Sequence, residues 1–170
     1  MYNQNKNNQK GIYFMNIGDK IEDFTLNGID ENAIEREFSL SEFEGQNVVL
    51  YFYPKDDTPG CTQEACDFRD NFNRLISHAV VIGVSPDDID SHKKFQEKHS
   101  LNFILLSDTE HLLAEEFGVW QGKSMYGNAY MGINRSTFLI DKNGILRQIW
   151  TNVKVNGHVD AVLDAIEELQ

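Results

Sequence analysis

The hexapeptide Val48-Val49-Leu50-Tyr51-Phe52-Tyr53 is the longest unbroken apolar run in the chain. It consists of β-branched and aromatic residues, and Pro54 stops it. Such a run has no polar face, so as a strand it must be buried on both sides. Residues 79–84 (AVVIGV) repeat the pattern. Two strands of this kind need a central sheet with further layers packed on both faces. They are far too short for a membrane helix, which takes about 18 apolar residues.

The covering layers are legible between these strands. Residues 61–77 carry an apolar stripe at Cys61, Ala65, Phe68, Phe72, Leu75 and Ile76, the spacing of a core-facing helix. Pro86 and two aspartates open a helix to about residue 99, before a third strand at 103–106. Ser107 with Glu110 has the form of a capping box, and Gly118 suits the position after that helix. Residues 137–140 and 145–150 read as a hairpin around Asp141-Lys142-Asn143-Gly144. Residues 158–169 form a last amphipathic helix. Short strands are predicted at 24–26 and 34–38, and Ser41 is placed to cap a helical turn ending at Gly45. Residues 119–134 are glycine-rich and show no clear period.

Strands alternating with helices, then a closing hairpin and a helix, predict an α/β fold. The arrangement is a thioredoxin-like three-layer sandwich with a central mixed β-sheet. A doubly wound sheet fits the period almost as well. The length of 170 residues and the 41% apolar content suit one domain. Residues 1–14 are expected to be a disordered tail and 15–170 the domain. No apolar segment of a secretory signal follows the polar start, so cytoplasmic residence is expected. The net charge of −12 disfavours nucleic-acid and anionic membrane partners.

There are only two cysteines, Cys61 and Cys66, so a disulfide scaffold and a four-cysteine zinc site are excluded by count. The segment Pro54-Lys55-Asp56-Asp57-Thr58-Pro59-Gly60-Cys61 runs from a strand end into a helix start. Helix N-termini offer open N–H groups and partial positive charge, which favour the nucleophilic thiolate of a cysteine placed there. Pro54 and Pro59 stiffen the loop, and Thr58 can aim its hydroxyl at the same point. Pro59 has no N–H, so the amides near Gly60 and Cys61 become the anion contacts. Asp56 and Asp57 add negative charge beside them. A lone cysteine on an apolar stripe is most simply core filler; the composition of this loop reverses that preference. Cys66 lies about 140° around the helix from Cys61, on the polar face. On an intact helix their Cα atoms would be about 8.7 Å apart. A disulfide needs about 7 Å or less. Only a transient disulfide, formed as the first turns unwind, fits this spacing.

The pattern Pro54-x-x-x-Thr58-x-x-Cys61 resembles the active-site motif of the peroxiredoxins, thiol-dependent peroxidases. The longer string YFYPKDDTPGCTQEAC, with Cys66 five residues on, resembles their bacterioferritin-comigratory, or Q-type, class. Asn134-Arg135-Ser136-Thr137-Phe138-Leu139-Ile140-Asp141 is similar to the family segment whose arginine faces the reactive cysteine. Trp120 to Tyr126 (WQGKSMY) also fits that class.

The resemblance implies that Cys61 attacks hydrogen peroxide or an organic hydroperoxide and that Cys66 resolves the resulting sulfenic acid. Thr58 and Arg135 would hold the peroxide oxygens, with Pro54 and Gly60 shaping the substrate site. A dithiol, usually thioredoxin in that family, would reduce the disulfide. No metal or organic cofactor is implied, and both cysteines lie in one chain, so a monomer suffices.

A second reading is a thioredoxin-fold copper or zinc carrier using Cys61, Cys66 and a remote histidine, since soft thiolates suit Cu(I). A disulfide reductase is weakened by the absence of C-x-x-C. Residues 118–124 almost spell a P-loop, but one residue is missing between the glycines and a helix precedes them. Trp120 and Met125 could line a pocket entrance or pack locally. His78, His92, His99, His111 and His158 are expected in surface or capping roles.

Overall fold

The computed structural model describes residues 15–169. The expected tail at 1–14 therefore lies outside the described residues. Nine strands and five helices follow one another along the described chain. They are β1 (Thr25–Ile29), β2 (Glu35–Ser39), β3 (Asn47–Phe52), α1 (Pro59–Asp70), α2 (Phe72–Leu75), β4 (Ala79–Ser85) and α3 (Ile89–His99). Then come β5 (Ile104–Ser107), α4 (Leu112–Glu116), β6 (Trp120–Met125), β7 (Asn128–Ile133), β8 (Ser136–Ile140), β9 (Leu146–Trp150) and α5 (His158–Glu168).

Seven strands form one sheet in the order β2-β1-β5-β4-β3-β8-β9. The pairs β3–β4 and β4–β5 are parallel and the others antiparallel. The mixed sheet and the three layers match the sequence reading. Along β3 the side chains alternate between two cores, as a strand of period two requires. Val49 and Tyr51, with Tyr53 just beyond the strand, face Ala65 and Phe68 of α1, Phe95 of α3 and Val162 of α5. Val48, Leu50 and Phe52 face Leu113 and Ala114 of α4, Phe117 and Phe138. The apolar run is continuous because both cores need a contribution from every second residue.

Several boundaries differ from the sequence reading. The predicted helix 61–77 breaks at Asn71, whose side-chain amide donates to the Asp67 carbonyl at 2.8 Å. That bond competes with the backbone ladder, and Ile76 beyond the break is left 61% exposed. Ser39, not Ser41, caps the 3-10 turn Leu40–Phe43, with Glu42 reaching back to it. Ser107 is inside β5. It is the Asp108 carboxylate that accepts from the amides of Leu113 and Ala114. Gly118 does follow the helix, at φ +71.

The stretch without a clear period is a hairpin, β6–β7, closed by Tyr126-Gly127. Both turn residues have positive φ, 51° and 81°. This is the primed geometry that matches strand twist, adopted here with Tyr at the position where Asn is usual. Trp120 packs locally by stacking on His111, ring centroids 3.7 Å apart, and Met125 is exposed.

Candidate active site

Strand β3 delivers the chain to Pro54, and the loop 54–58 then turns it into α1. Pro59 sits at the first helical position, where its missing N–H costs no hydrogen bond. Thr58 is the cap residue, and its carbonyl accepts the first helical bond from Thr62 at 2.8 Å. Gly60 and Cys61 are thereby in the first turn, whose amides have no partner within the helix. Cys61 is 2% exposed and Cys66, one and a half turns on, is half-buried. Both thiols are free.

Arg135, between β7 and β8, reaches this helix start from the strand next to β3, where Ser136 pairs with Phe52. Its Nη2 lies 3.4 Å from Cys61 Sγ and its Nη1 donates to Glu64 Oε1 at 2.7 Å. Its own carbonyl is held by the Val153 amide at 3.0 Å. Gly60 makes room for the guanidinium, because a Cβ there would come within 3.2 Å of Nη2. Burial works against the Arg135 charge, but Glu64 and Cys61 outweigh it and raise the guanidinium above its usual value.

Glu64 is completely buried, and its Oε2 has no hydrogen-bond partner. Burial pushes its carboxyl up to about 7 against the pull of Arg135. Lys123 of β6 brings a second cation toward the site. Burial and then Arg135 push its ammonium down, while Cys61 pulls it the other way. Beneath the cysteine, Tyr51 packs on Phe68 and Tyr53, with ring centroids at 4.7 and 5.4 Å.

The structure places Cys61 and Gly60 beside Arg135, and Thr58 in the cap of the same helix. Thr58 Oγ1 donates to the Lys55 carbonyl at 2.8 Å. With its proton used, the oxygen remains an acceptor. The negative charge expected from the two aspartates is met by partners. Asp57 bonds Lys98 and His99 at 2.7 and 2.9 Å. Those bonds, His99 first, pull its carboxyl below the usual range. Asp56 is buried against His92.

Two histidines are not on the surface. His92 is 0% and His158 6% exposed. His158 bonds Thr137 at 2.8 Å, and burial together with the Arg135 cation lowers it to about 4. Glu64 was missed because a glutamate in a helix reads as solvent-facing. Its partner is 71 residues away.

The metal-carrier reading has no ligand set around the thiols. Among the described residues, the one cluster of three side chains able to share a cation is Asp56, Asp87 and His92, which includes neither cysteine.

Gly60→Ala isolates the close approach of Arg135. Alanine suits a helix better than glycine, so the melting temperature should hold or rise. The guanidinium must shift by a few tenths of an ångström, and the peroxide reaction that the resemblance implies for Cys61 should slow about tenfold. Stopped-flow kinetics beside a thermal melt checks both.

The AhpC/TSA family model matches residues 17–149. Peroxiredoxin Bcp of Bacillus subtilis is 51% identical over 154 residues, covering 90% of this chain and 96% of that protein. Peroxiredoxin Bcp of Escherichia coli K12 is 42% identical over 155 residues, covering 91% and 97%. Among solved structures, a Cys-to-Ser variant of PrxQ from Xylella fastidiosa superposes with a TM-score of 0.82 at 37% identity, covering 91% of this chain and 96% of that one. The bacterioferritin comigratory protein of Xanthomonas campestris, studied in trapped-intermediate and ligand complexes for its alkyl peroxide reduction, gives 0.77 at 40% identity and covers 84% and 90%.

Proposed function

The chain belongs to the AhpC/TSA family and is a thiol peroxidase of the peroxiredoxin kind, and we propose that Cys61 is its peroxide-reacting thiol and Cys66 the thiol that resolves it. Peroxide is the substrate and a thiol the reductant. The observation that carries the residue assignment is the Arg135 guanidinium, shared between Cys61 Sγ and the buried Glu64 at the start of α1.

In this mechanism the Cys61 thiolate attacks the nearer oxygen of ROOH in line with the O–O bond. The S–O bond forms as the O–O bond breaks, and RO⁻ leaves with the bonding pair and takes up a proton as ROH. Cys61 is left as the sulfenic acid. Arg135 and the open amides of Gly60 and Cys61 stabilise the charge on the leaving oxygen. Thr58 Oγ1, whose O–H donates to the Lys55 backbone carbonyl, accepts the hydroperoxide O–H and orients it. Pro54 holds the loop, and Gly60 gives the guanidinium and the substrate their space. Cys66 then attacks the Cys61 sulfur and expels water, leaving a disulfide, and a dithiol of the thioredoxin kind restores both thiols. Organic hydroperoxides join hydrogen peroxide in the proposed substrate class, supported by the alkyl peroxide activity of the Xanthomonas relative.

Both cysteines belong to α1, so a monomer completes the cycle. The need for a steady dithiol supply supports a cytoplasmic setting. Among the described residues no helix is long and apolar enough to cross a membrane.

Cys66→Ser tests the division of labour. The variant should consume one equivalent of peroxide at the wild-type rate, stop at the sulfenic acid, and fail to turn over with thioredoxin. Coupled peroxidase assays with dimedone trapping read both. Sustained turnover would remove Cys66 from the resolving role.

A further inference from the structure

Formation of the Cys61–Cys66 bond requires α1 to unwind, and polar contacts to α3 flank the segment that must open. Asp56, just upstream of the helix, is 7% exposed and has a partner for every polar atom of its side chain. Its Oδ1 accepts from Tyr53 Oη at 2.6 Å, and its Oδ2 accepts from Ser91 Oγ at 2.8 Å and pairs with His92 Nδ1 at 2.7 Å. The Asp56 amide donates to Asp87 Oδ2 at 2.8 Å, and Ser85 Oγ donates to the same oxygen at 2.6 Å. The other nitrogen of His92, Nε2, donates to the Leu106 carbonyl at 2.9 Å, so the ring is fixed from β5 as well as from the loop.

Downstream, Arg69 Nη1 donates to the His99 carbonyl at 2.6 Å. Helix α3 thus grips the chain on both sides of the cysteine pair: His92 before it and His99 after it. Only residues 57–68 lie between these grips, and the outer contact of that span, Asp57 with Lys98 and His99, is exposed.

We propose that Asp56 and His92 are positioning residues of the redox cycle. They hold the loop that carries Thr58 against α3 while α1 unwinds to join Cys61 to Cys66, so the peroxide site reassembles in register after each reduction. The proposal rests on the disulfide assigned above. A fully satisfied buried polar group resists opening, because each partner left behind is unpaired in a water-free place. The α1 turns between the grips carry one buried ion pair, Arg135 with Glu64, and the Glu64 Oε2 has no partner, so this span is less completely tied than the Asp56 cluster and reopens at lower cost.

Hydrogen-exchange mass spectrometry of the full chain, reduced and after one equivalent of hydrogen peroxide, tests this. Disulfide formation is verified first on the same samples by peptide mapping. Absence of a Cys61–Cys66 linkage overturns the mechanism itself. With the linkage present, loss of protection confined to residues 59–68 supports the anchor. Loss that includes the amides of Asp56 and His92 overturns it.

Asp56→Asn and, as a second and more disruptive variant, His92→Asn should spread the loss of protection into 54–58. They should also slow oxidation of the re-reduced enzyme about tenfold. Gln96→Ala is the control on the same helix, since Gln96 Nε2 bonds the Asp30 carbonyl at 2.8 Å, away from the loop. It should lower the melting temperature without changing that rate. Equal rate losses in Asp56→Asn and Gln96→Ala, or a wild-type rate in Asp56→Asn, would reduce the cluster to a stability role and overturn the proposal.

Discussion

Cys61→Ser is expected to abolish peroxide turnover, with a loss of at least about 1,000-fold in the rate of peroxide consumption. A serine hydroxyl stays protonated at neutral pH, so it offers no anionic nucleophile, and the guanidinium beside it has no charge to orient. The variant should fold normally. Cys61 is 2% exposed among apolar neighbours, and serine is a little smaller. The Arg135–Glu64 pair does not depend on the sulfur. Far-UV circular dichroism and a melting temperature within a few degrees of wild type would accompany the dead enzyme. A variant that keeps the full rate would move the chemistry away from Cys61.

Arg135→Ala is the second change with a large effect, and it acts on rate and stability together. Removing the cation proposed to face the leaving oxygen should cost about 100-fold or more in the peroxide step, about 3 kcal/mol, the range for one donor of this kind. The stability effect has a sign that follows from Glu64. Its carboxyl is raised from 4.5 to about 7 in the folded protein, by burial. A raised acid stabilises the fold below its unfolded value, and that contribution is lost as pH rises through the folded one. In the wild type the loss runs from about 4.5 to about 7, and Arg135 limits it by pulling the carboxyl down. Without Arg135 the carboxyl is pushed higher still, and the loss continues above neutrality. The variant should therefore melt closer to wild type at pH 5 than at pH 8. A rate within a few-fold of wild type would take Arg135 out of the site. A melting difference independent of pH would mean that Glu64 does not depend on it.

Local pattern and the motif carried different parts of what was readable in the sequence. The strand read at Val48–Tyr53 announced itself because both of its faces are buried, and the helix read from Cys61 because proline and glycine mark that junction, although it starts two residues earlier, at Pro59. Arg135 was placed by resemblance alone; nothing in its neighbourhood says that a residue 74 positions away is its partner. Glu64 and His92 were missed for a common reason. Each is a polar residue on an amphipathic helix whose burial is made by tertiary partners.

For His92 a signal existed. With Phe95, Gln96 and His99 it follows the i, i+3, i+4, i+7 spacing of a buried stripe, and His92, Phe95 and Gln96 are buried. The β6–β7 hairpin escaped because its turn is Tyr-Gly, a weak form of the usual Asn-Gly signal, and because most of its residues are exposed on both faces. Pattern reasoning finds what a single element does with water. It does not find what two distant elements do with each other.

The most direct test of the central claim is a thiol count with mass measurement on reduced wild-type protein after one equivalent of hydrogen peroxide. The reaction is followed in stopped flow by the fluorescence of Trp120 and Trp150. The account predicts fast loss of both thiols, a mass lower by two hydrogens, and a single peptide linkage between Cys61 and Cys66. Loss of one thiol with the gain of an oxygen, stable on standing, would contradict resolution by Cys66. A reaction no faster than that of a free thiol would contradict a peroxide site built around Cys61 and Arg135.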